Sequence, residues 1–93
     1  MADLNDYADR DLGAKAEILL GDDTLNRALN EIEATWTGRW KNSKYGDAEG
    51  RELAFHMVAA VTELKAQLQA YVADGKIAAR VIESEMSGDI GHG

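Results

Sequence analysis

Apolar residues recur at steps of three and four along most of the chain, a pattern typical of amphipathic helices. One stripe predicts a helix over residues 24–41 and consists of Leu25, Ala28, Leu29, Ile32, Trp36 and Trp40. A second predicts a helix over residues 48–73 and consists of Leu53, Met57, Val61, Leu64, Leu68 and Val72. Proline is absent, so nothing in the chain forbids long helices. The pattern therefore predicts an all-α fold.

Two shorter helices are predicted on either side of these, over residues 12–20 and 76–86. Gly21 is expected to end the first of them, and Asp22 or Asp23 to cap the helix that follows. Asp74 and Gly75 are expected to break or bend the long helix. The remaining segments predict a flexible acidic arm over residues 1–11, a single helical domain over 12–86 and a flexible tail over 87–93.

The segment from Asn42 to Asp47 is the clearest turn, because Asn, Ser, Gly and Asp favour non-helical backbone. Asp47 is a candidate N-cap for the helix that follows. A short turn between two amphipathic helices predicts an antiparallel hairpin with short flanking helices. The two helices would span about 27 Å and about 39 Å, which leaves the stretch from Leu68 to Val72 to be covered. The flanking helices or a second copy could cover it, and we expect a homo-oligomer.

Composition narrows the classes of function. The chain has 93 residues, a net charge of -7 and no cysteine, which fits one small domain without disulfides or thiolate metal sites. A net negative charge repels the phosphates of nucleic acid unless a local basic patch compensates. The first residues lack the basic and apolar stretches of a signal peptide, and no apolar run approaches about 20 residues. We therefore expect a cytoplasmic protein with no membrane partner.

Candidate chemistry is sparse. His56 lies between Phe55 and Met57 and is interpreted as a packed or solvent-edge histidine, while His92 lies alone in the tail. No pair of ligands has His-x-x-x-His or Glu-x-x-His spacing, and no glycine-rich phosphate loop is present. We therefore expect no enzymatic activity, no catalytic residues, no cofactor and no metal site.

The segment around the turn is the most unusual part of the sequence, because both tryptophans and four of the ten basic residues fall within residues 36–51. The tryptophans could simply close the hairpin core. Alternatively, the segment could be a protein-binding hot spot or a surface on which bases stack, although acidic neighbours weaken the case for nucleic acid. The candidate partner-binding residues are Trp36, Arg39, Trp40, Lys41, Lys44, Tyr45 and Arg51.

Several of these features recur in one group of proteins. They are a short helix ending in Leu-Gly, the run Leu25–Leu29–Ile32–Trp36, Asp47 with Gly50-Arg-Glu52, a long helix with Leu64 and Leu68, and Asp74-Gly75-Lys76. Over residues 12–80 the chain resembles short uncharacterised helical proteins that tailed bacteriophages and prophages encode among head and packaging genes. The resemblance implies a phage context and no defined activity or site residues.

Three functions are consistent with these patterns. The first is a non-enzymatic virion-assembly or DNA-packaging accessory protein that oligomerises and binds another phage or host protein, in the bacterial cytoplasm or on the virion. The second is a small terminase-like subunit that recognises DNA, which needs the basic turn to be repeated around a ring. The third is a small acidic inhibitor of a host nucleic-acid enzyme, of the anti-restriction or anti-CRISPR type, which would mimic phosphate with its carboxylates.

Overall fold

The computed structural model describes the backbone of residues 2–91 and the side chains of residues 2–86. Every regular element in this part of the chain is a helix: α1 (Leu4–Leu20), α2 (Asp23–Lys41) and α3 (Ala48–Gly91). The all-α prediction is confirmed. The chain forms two compact units. The terminal unit contains α1 and the part of α3 after residue 66, and the central unit contains α2 and the part of α3 up to residue 66.

Helix α1 begins at Leu4, so the prediction of a flexible arm is wrong from that residue onward. The backbone N–H of Asp3 donates to Oδ2 of Asp6 (2.9 Å), and the N–H of Asp6 donates to Oδ1 of Asp3 (3.1 Å). This reciprocal pair is a capping box built from two aspartates. The backbone N–H of Ala2 also donates to Oε2 of Glu85 in α3 (2.7 Å). The first acidic residues therefore start and anchor a helix.

Helix α3 continues through Asp74 and Gly75, so the predicted break and the separate helix over residues 76–86 are wrong. Glycine inside a helix costs only about 1 kcal/mol relative to alanine, which packing of the helix can offset. Helix α3 includes residues 87–91, the first part of the segment predicted as a tail, and residues 92–93 of that prediction lie outside the described residues.

The terminal unit is built around a close approach of two glycines. A Cβ atom on Gly13 of α1 would lie 2.8 Å from Cα of Gly75 and 2.7 Å from the carbonyl oxygen of Tyr71, both in α3. Both glycines are buried. Because neither carries a side chain, the two helix backbones come into direct contact at this point. The hydrophobic residues buried in this unit are Ala16, Ala78 and Ile82.

In the central unit, α2 begins after Asp22, whose Oδ1 accepts a hydrogen bond from the backbone N–H of Leu25 (2.7 Å). The predicted aspartate cap is confirmed at this residue. Across the unit, Nζ of Lys65 in α3 lies 3.3 Å from Oδ1 of Asn30 and 3.4 Å from Oε2 of Glu33 in α2. These contacts join α2 to the first part of α3. The buried hydrophobic residues of this unit are Leu29, Ala54 and Val61.

Both units leave much apolar surface uncovered. Only six hydrophobic residues are buried among the described side chains, and three of them are alanines. Thirteen large hydrophobic side chains are exposed, and each unit contributes to that set. Single exposed apolar residues are normal on a monomer, but contiguous ones mark sites of interaction. Four of the thirteen, Trp40, Tyr45, Leu53 and Phe55, lie at or near the turn between α2 and α3.

Candidate partner-binding surface

The turn between α2 and α3 is closed by hydrogen bonds at both ends. The backbone N–H of Asn42 donates to the carbonyl of Gly38 (2.9 Å), and Oγ of Ser43 donates to the carbonyl of Trp40 (2.7 Å). On the other side, Oδ1 of Asp47 accepts from the backbone N–H of Gly50 (2.9 Å), which confirms the predicted cap. The turn therefore fixes where α3 begins relative to the end of α2.

All seven predicted site residues lie at this end of the central unit. Four are in the last turns of α2, two are in the turn and one is in the first turn of α3, in the order Trp36, Arg39, Trp40, Lys41, Lys44, Tyr45 and Arg51. Residues 36–51 carry four cationic side chains and two carboxylates, on a chain whose net charge is -7. This end is thus locally positive on an acidic protein.

Trp36 and Arg39 form one part of this surface. The guanidinium carbon of Arg39 lies 4.4 Å from the centroid of the Trp36 ring, which is the geometry of a cation–π contact. Both side chains border a groove that Gly50 and Leu53 of α3 line from the opposite side. We call this the Trp36 groove. The groove presents apolar surface next to the guanidinium of Arg39, which the cation–π contact with Trp36 holds in position.

Trp40 lies on a different surface. It is exposed and borders a small apolar notch together with Thr37 of α2 and Phe55 and Val58 of α3. We call this the Trp40 notch. Phe55 is an exposed functional candidate that the sequence analysis missed, because its position at the edge of the α3 stripe is equally compatible with a core residue. The two tryptophans therefore do not form a single patch.

Arg51 has a role within the turn. Its Nη1 donates to the carbonyl oxygens of Lys44 (2.8 Å) and Tyr45 (3.3 Å). The guanidinium therefore holds the backbone that presents the fully exposed ring of Tyr45. Lys41 and Lys44 have exposed side chains and supply the more accessible charges.

Replacing Arg51 with methionine should lower the free energy of unfolding by about 1 kcal/mol, because two hydrogen bonds from a charged group to backbone carbonyls are lost. Methionine keeps much of the aliphatic side chain. Lys44→Met is the matched control, because it also removes one exposed charge and should change stability by less than about 0.5 kcal/mol. Urea denaturation followed by circular dichroism measures both, and equal stability of the two variants would show that Arg51 does not hold the turn.

Neither of the two histidines is expected to have a catalytic or metal-binding role. His56 is exposed, with Nε2 at 3.7 Å from Oε1 of Glu52 and its ring edge-on to Phe55. His92 lies outside the described residues. Among the residues that the structure describes, no three His, Cys, Asp or Glu side chains are grouped closely enough to hold a metal ion. No helix in the same part of the chain has the length and apolar character needed to cross a bilayer.

The arrangement at the turn is suited to binding. Exposed aromatic rings supply contact area, and the neighbouring cations supply charge that can select and orient an acidic partner.

Comparisons with models of known protein families, with curated proteins and with solved structures give no match for this chain.

Proposed function

We propose that this chain is a non-enzymatic helical assembly protein that acts by forming oligomers and by binding another protein. In this proposal α2 and the first part of α3 work as an antiparallel hairpin, and the turn end of that hairpin is the contact surface for the partner. The observation that carries the proposal is the set of exposed aromatic side chains beside cations at this end, namely Trp40, Tyr45 and Phe55.

The contacts that Arg39 and Arg51 make within the chain favour a protein partner over nucleic acid. Arg39 lies over the ring of Trp36, and Arg51 is bonded to the turn, so neither is as free to meet phosphates as an extended side chain. The ring face that Arg39 covers is correspondingly less available for base stacking. Trp, Tyr and Arg together are the residues most enriched in protein–protein hot spots.

Oligomerisation is supported by the balance of buried and exposed apolar groups. The central unit buries Leu29, Ala54 and Val61, whereas other large apolar side chains such as Leu53 and Leu64 are exposed. Removing such side chains from water is favourable by about 25 cal/mol for each Å², and this gain opposes the entropy cost of association. The resemblance to phage head and packaging proteins favours virion assembly or DNA packaging as the setting.

Replacing Trp40 with alanine should abolish capture of the partner, because removal of a central aromatic anchor typically costs 2 kcal/mol or more, about a 30-fold loss of affinity. Ile77→Ala is the matched control, since Ile77 is also a large exposed apolar residue but lies in the terminal unit. The full chain would be used as bait in phage-infected cells, and the captured protein would then be purified and titrated by calorimetry. Equal binding by wild type and Trp40→Ala, with helicity unchanged, would remove the turn end from the proposal.

A further inference from the structure

One flank of the central unit carries a continuous apolar strip. On α3 the strip is formed by Leu53, Met57, Ala60 and Leu64, whose steps of four, three and four residues place them on one side of the helix. On α2 it is formed by Ile32 and Trp36. Trp36 and Leu53 both border the Trp36 groove, so the α2 part and the α3 part of the strip meet there. Ile32, Leu53 and Leu64 are 42%, 52% and 47% exposed. These three side chains are thus open to a partner, whereas Trp36 and Met57 are half-buried and Arg39 lies over the Trp36 ring.

The opposite flank of the unit has a different character. There Lys65 reaches across to Asn30 and Glu33, so charged and amide groups cross the line between the two helices. A partner that covered this flank would have to remove those groups from water, which is unfavourable unless each is paired again. In the part of the unit away from the turn, the flank with the strip is therefore the better one for burial.

Charge is distributed unevenly along the central unit. The turn end, residues 36–51, carries four cations and two carboxylates, whereas the remainder of the unit carries two cations and six carboxylates. Two copies that lie side by side in opposite directions bring the positive end of each against the negative remainder of the other. Two copies in the same direction bring like charges together, which is unfavourable.

We propose that the strip binds the same strip of a second copy, with the two central units antiparallel. This inference rests on the proposed function, and it specifies which surface the oligomer uses and in which orientation. In a two-fold arrangement of this kind the interface is the same patch on both copies. Leu53 of one copy then lies near Leu64 of the other, and the middle of the strip, at Ala60, lies near the symmetry axis.

The size of the strip predicts a modest affinity. From Leu53 to Leu64 there are eleven steps of about 1.5 Å, which span about 17 Å, and two helices side by side are about 20 Å wide. The projected area is about 350 Å², whereas a standard interface buries about 800 Å² of accessible surface on each partner. The strip alone therefore cannot make a very tight dimer, and the charged ends must contribute. We expect a dissociation constant in the micromolar range that rises with salt.

The first test compares three glutamate substitutions on α3. Leu53→Glu and Leu64→Glu place a charge in the strip and should raise the dissociation constant at least 100-fold. Phe55→Glu is the matched control, because Phe55 is more exposed than either leucine but lies in the Trp40 notch, and it should leave the constant within about threefold. Light scattering over a range of protein concentrations measures mass, and circular dichroism verifies that each variant keeps its helicity.

The second test needs no disruption of the strip. The chain contains no cysteine, so a single introduced cysteine reports one position. Ala60→Cys should form a disulfide between two copies under mild oxidation, whereas Ala59→Cys, an equally exposed neighbour on another side of the helix, should not. Glu49→Cys near the turn should also fail, because antiparallel copies hold their turn ends apart.

The outcomes separate this inference from the proposed function. Loss of the dimer in both leucine variants, together with the Ala60→Cys disulfide, supports the inference. If Phe55→Glu dissociates the oligomer and the leucine variants do not, the strip is not the interface, but oligomerisation stands. Efficient cross-linking through Glu49→Cys would overturn the antiparallel orientation. A strict monomer at 100 μM and low salt would overturn both the inference and the oligomerisation that it rests on.

Discussion

Replacing Gly13 with alanine should destabilise the terminal unit, although alanine favours a helix over glycine by about 1 kcal/mol. The added Cβ would lie 2.7 Å from the carbonyl oxygen of Tyr71 and 2.8 Å from Cα of Gly75. Both are backbone atoms of α3, so the contact is relieved only if the two helices move apart. Forcing extra atoms into a packed contact costs about 1–3 kcal/mol. We expect a net loss of up to about 2 kcal/mol in the free energy of unfolding, measured by urea denaturation.

The same substitution at Gly38 is the matched control. Gly38 is also inside a helix, but a Cβ there would meet no atom within 4 Å apart from its chain neighbours and the backbone of its own helix. Only the helix preference remains, so Gly38→Ala should raise the free energy of unfolding by up to about 1 kcal/mol. Opposite signs at the two positions would establish the close contact. A stabilising Gly13→Ala would show that α1 and α3 do not meet at these glycines.

These glycines also show where sequence reasoning ends. Gly75 follows an aspartate, and this pair is a common turn signal, so the sequence predicts a break in the helix. What keeps glycine inside α3 is its contact with Gly13, which lies 62 positions earlier in the chain. A pattern of local preferences contains no information about such a partner. The same residue type therefore ends a helix at Gly21 and lets two helices touch at Gly75.

Features that depend on local chemistry were predictable. The bounds of α2 and the caps at Asp22 and Asp47 follow from side chains that bond to the backbone within three residues. The start of α1 is also local, since Asp3 and Asp6 cap each other's backbone N–H groups. The spacing of the two aspartates carries this signal, but a capping box usually has glutamate or glutamine at the second position, so the sequence predicts an acidic arm there instead.

The position of the candidate site along the chain could be predicted from the sequence, but its separation into the Trp36 groove and the Trp40 notch could not. Trp36 and Trp40 are one helical turn apart, so their proximity follows from the chain itself. Which flank of the unit each ring borders depends on how α2 packs against α3, and this packing places Trp36 beside Leu53 and Trp40 beside Phe55. A stripe of period 3.6 identifies the apolar side of a helix, but it does not show which edge of that side stays exposed after the helices pack.

Two isoleucines in α3 provide the second large expected effect. Ile82 is 5% exposed and Ile77 is 60% exposed, although the two isoleucines lie only five residues apart in the same helix. Ile82→Ala should lower the free energy of unfolding by about 2–4 kcal/mol, since it removes buried methyl groups and leaves a cavity beside a small core. Ile77→Ala removes the same atoms from the surface and should cost less than about 0.5 kcal/mol.

Thermal and urea denaturation, followed by circular dichroism, measure the free energies of unfolding of the two variants. The change in helix propensity is the same in both, because each replaces isoleucine with alanine in the same helix. The terminal unit buries only Ala16, Ala78 and Ile82 among its hydrophobic residues, so Ile82 supplies most of the core that one substitution can remove. Similar losses in both variants would mean that Ile77 is also covered in solution. Since Ile77 is exposed in the single chain, that result would place the terminal unit at a contact between copies, in addition to the interface proposed for the central unit.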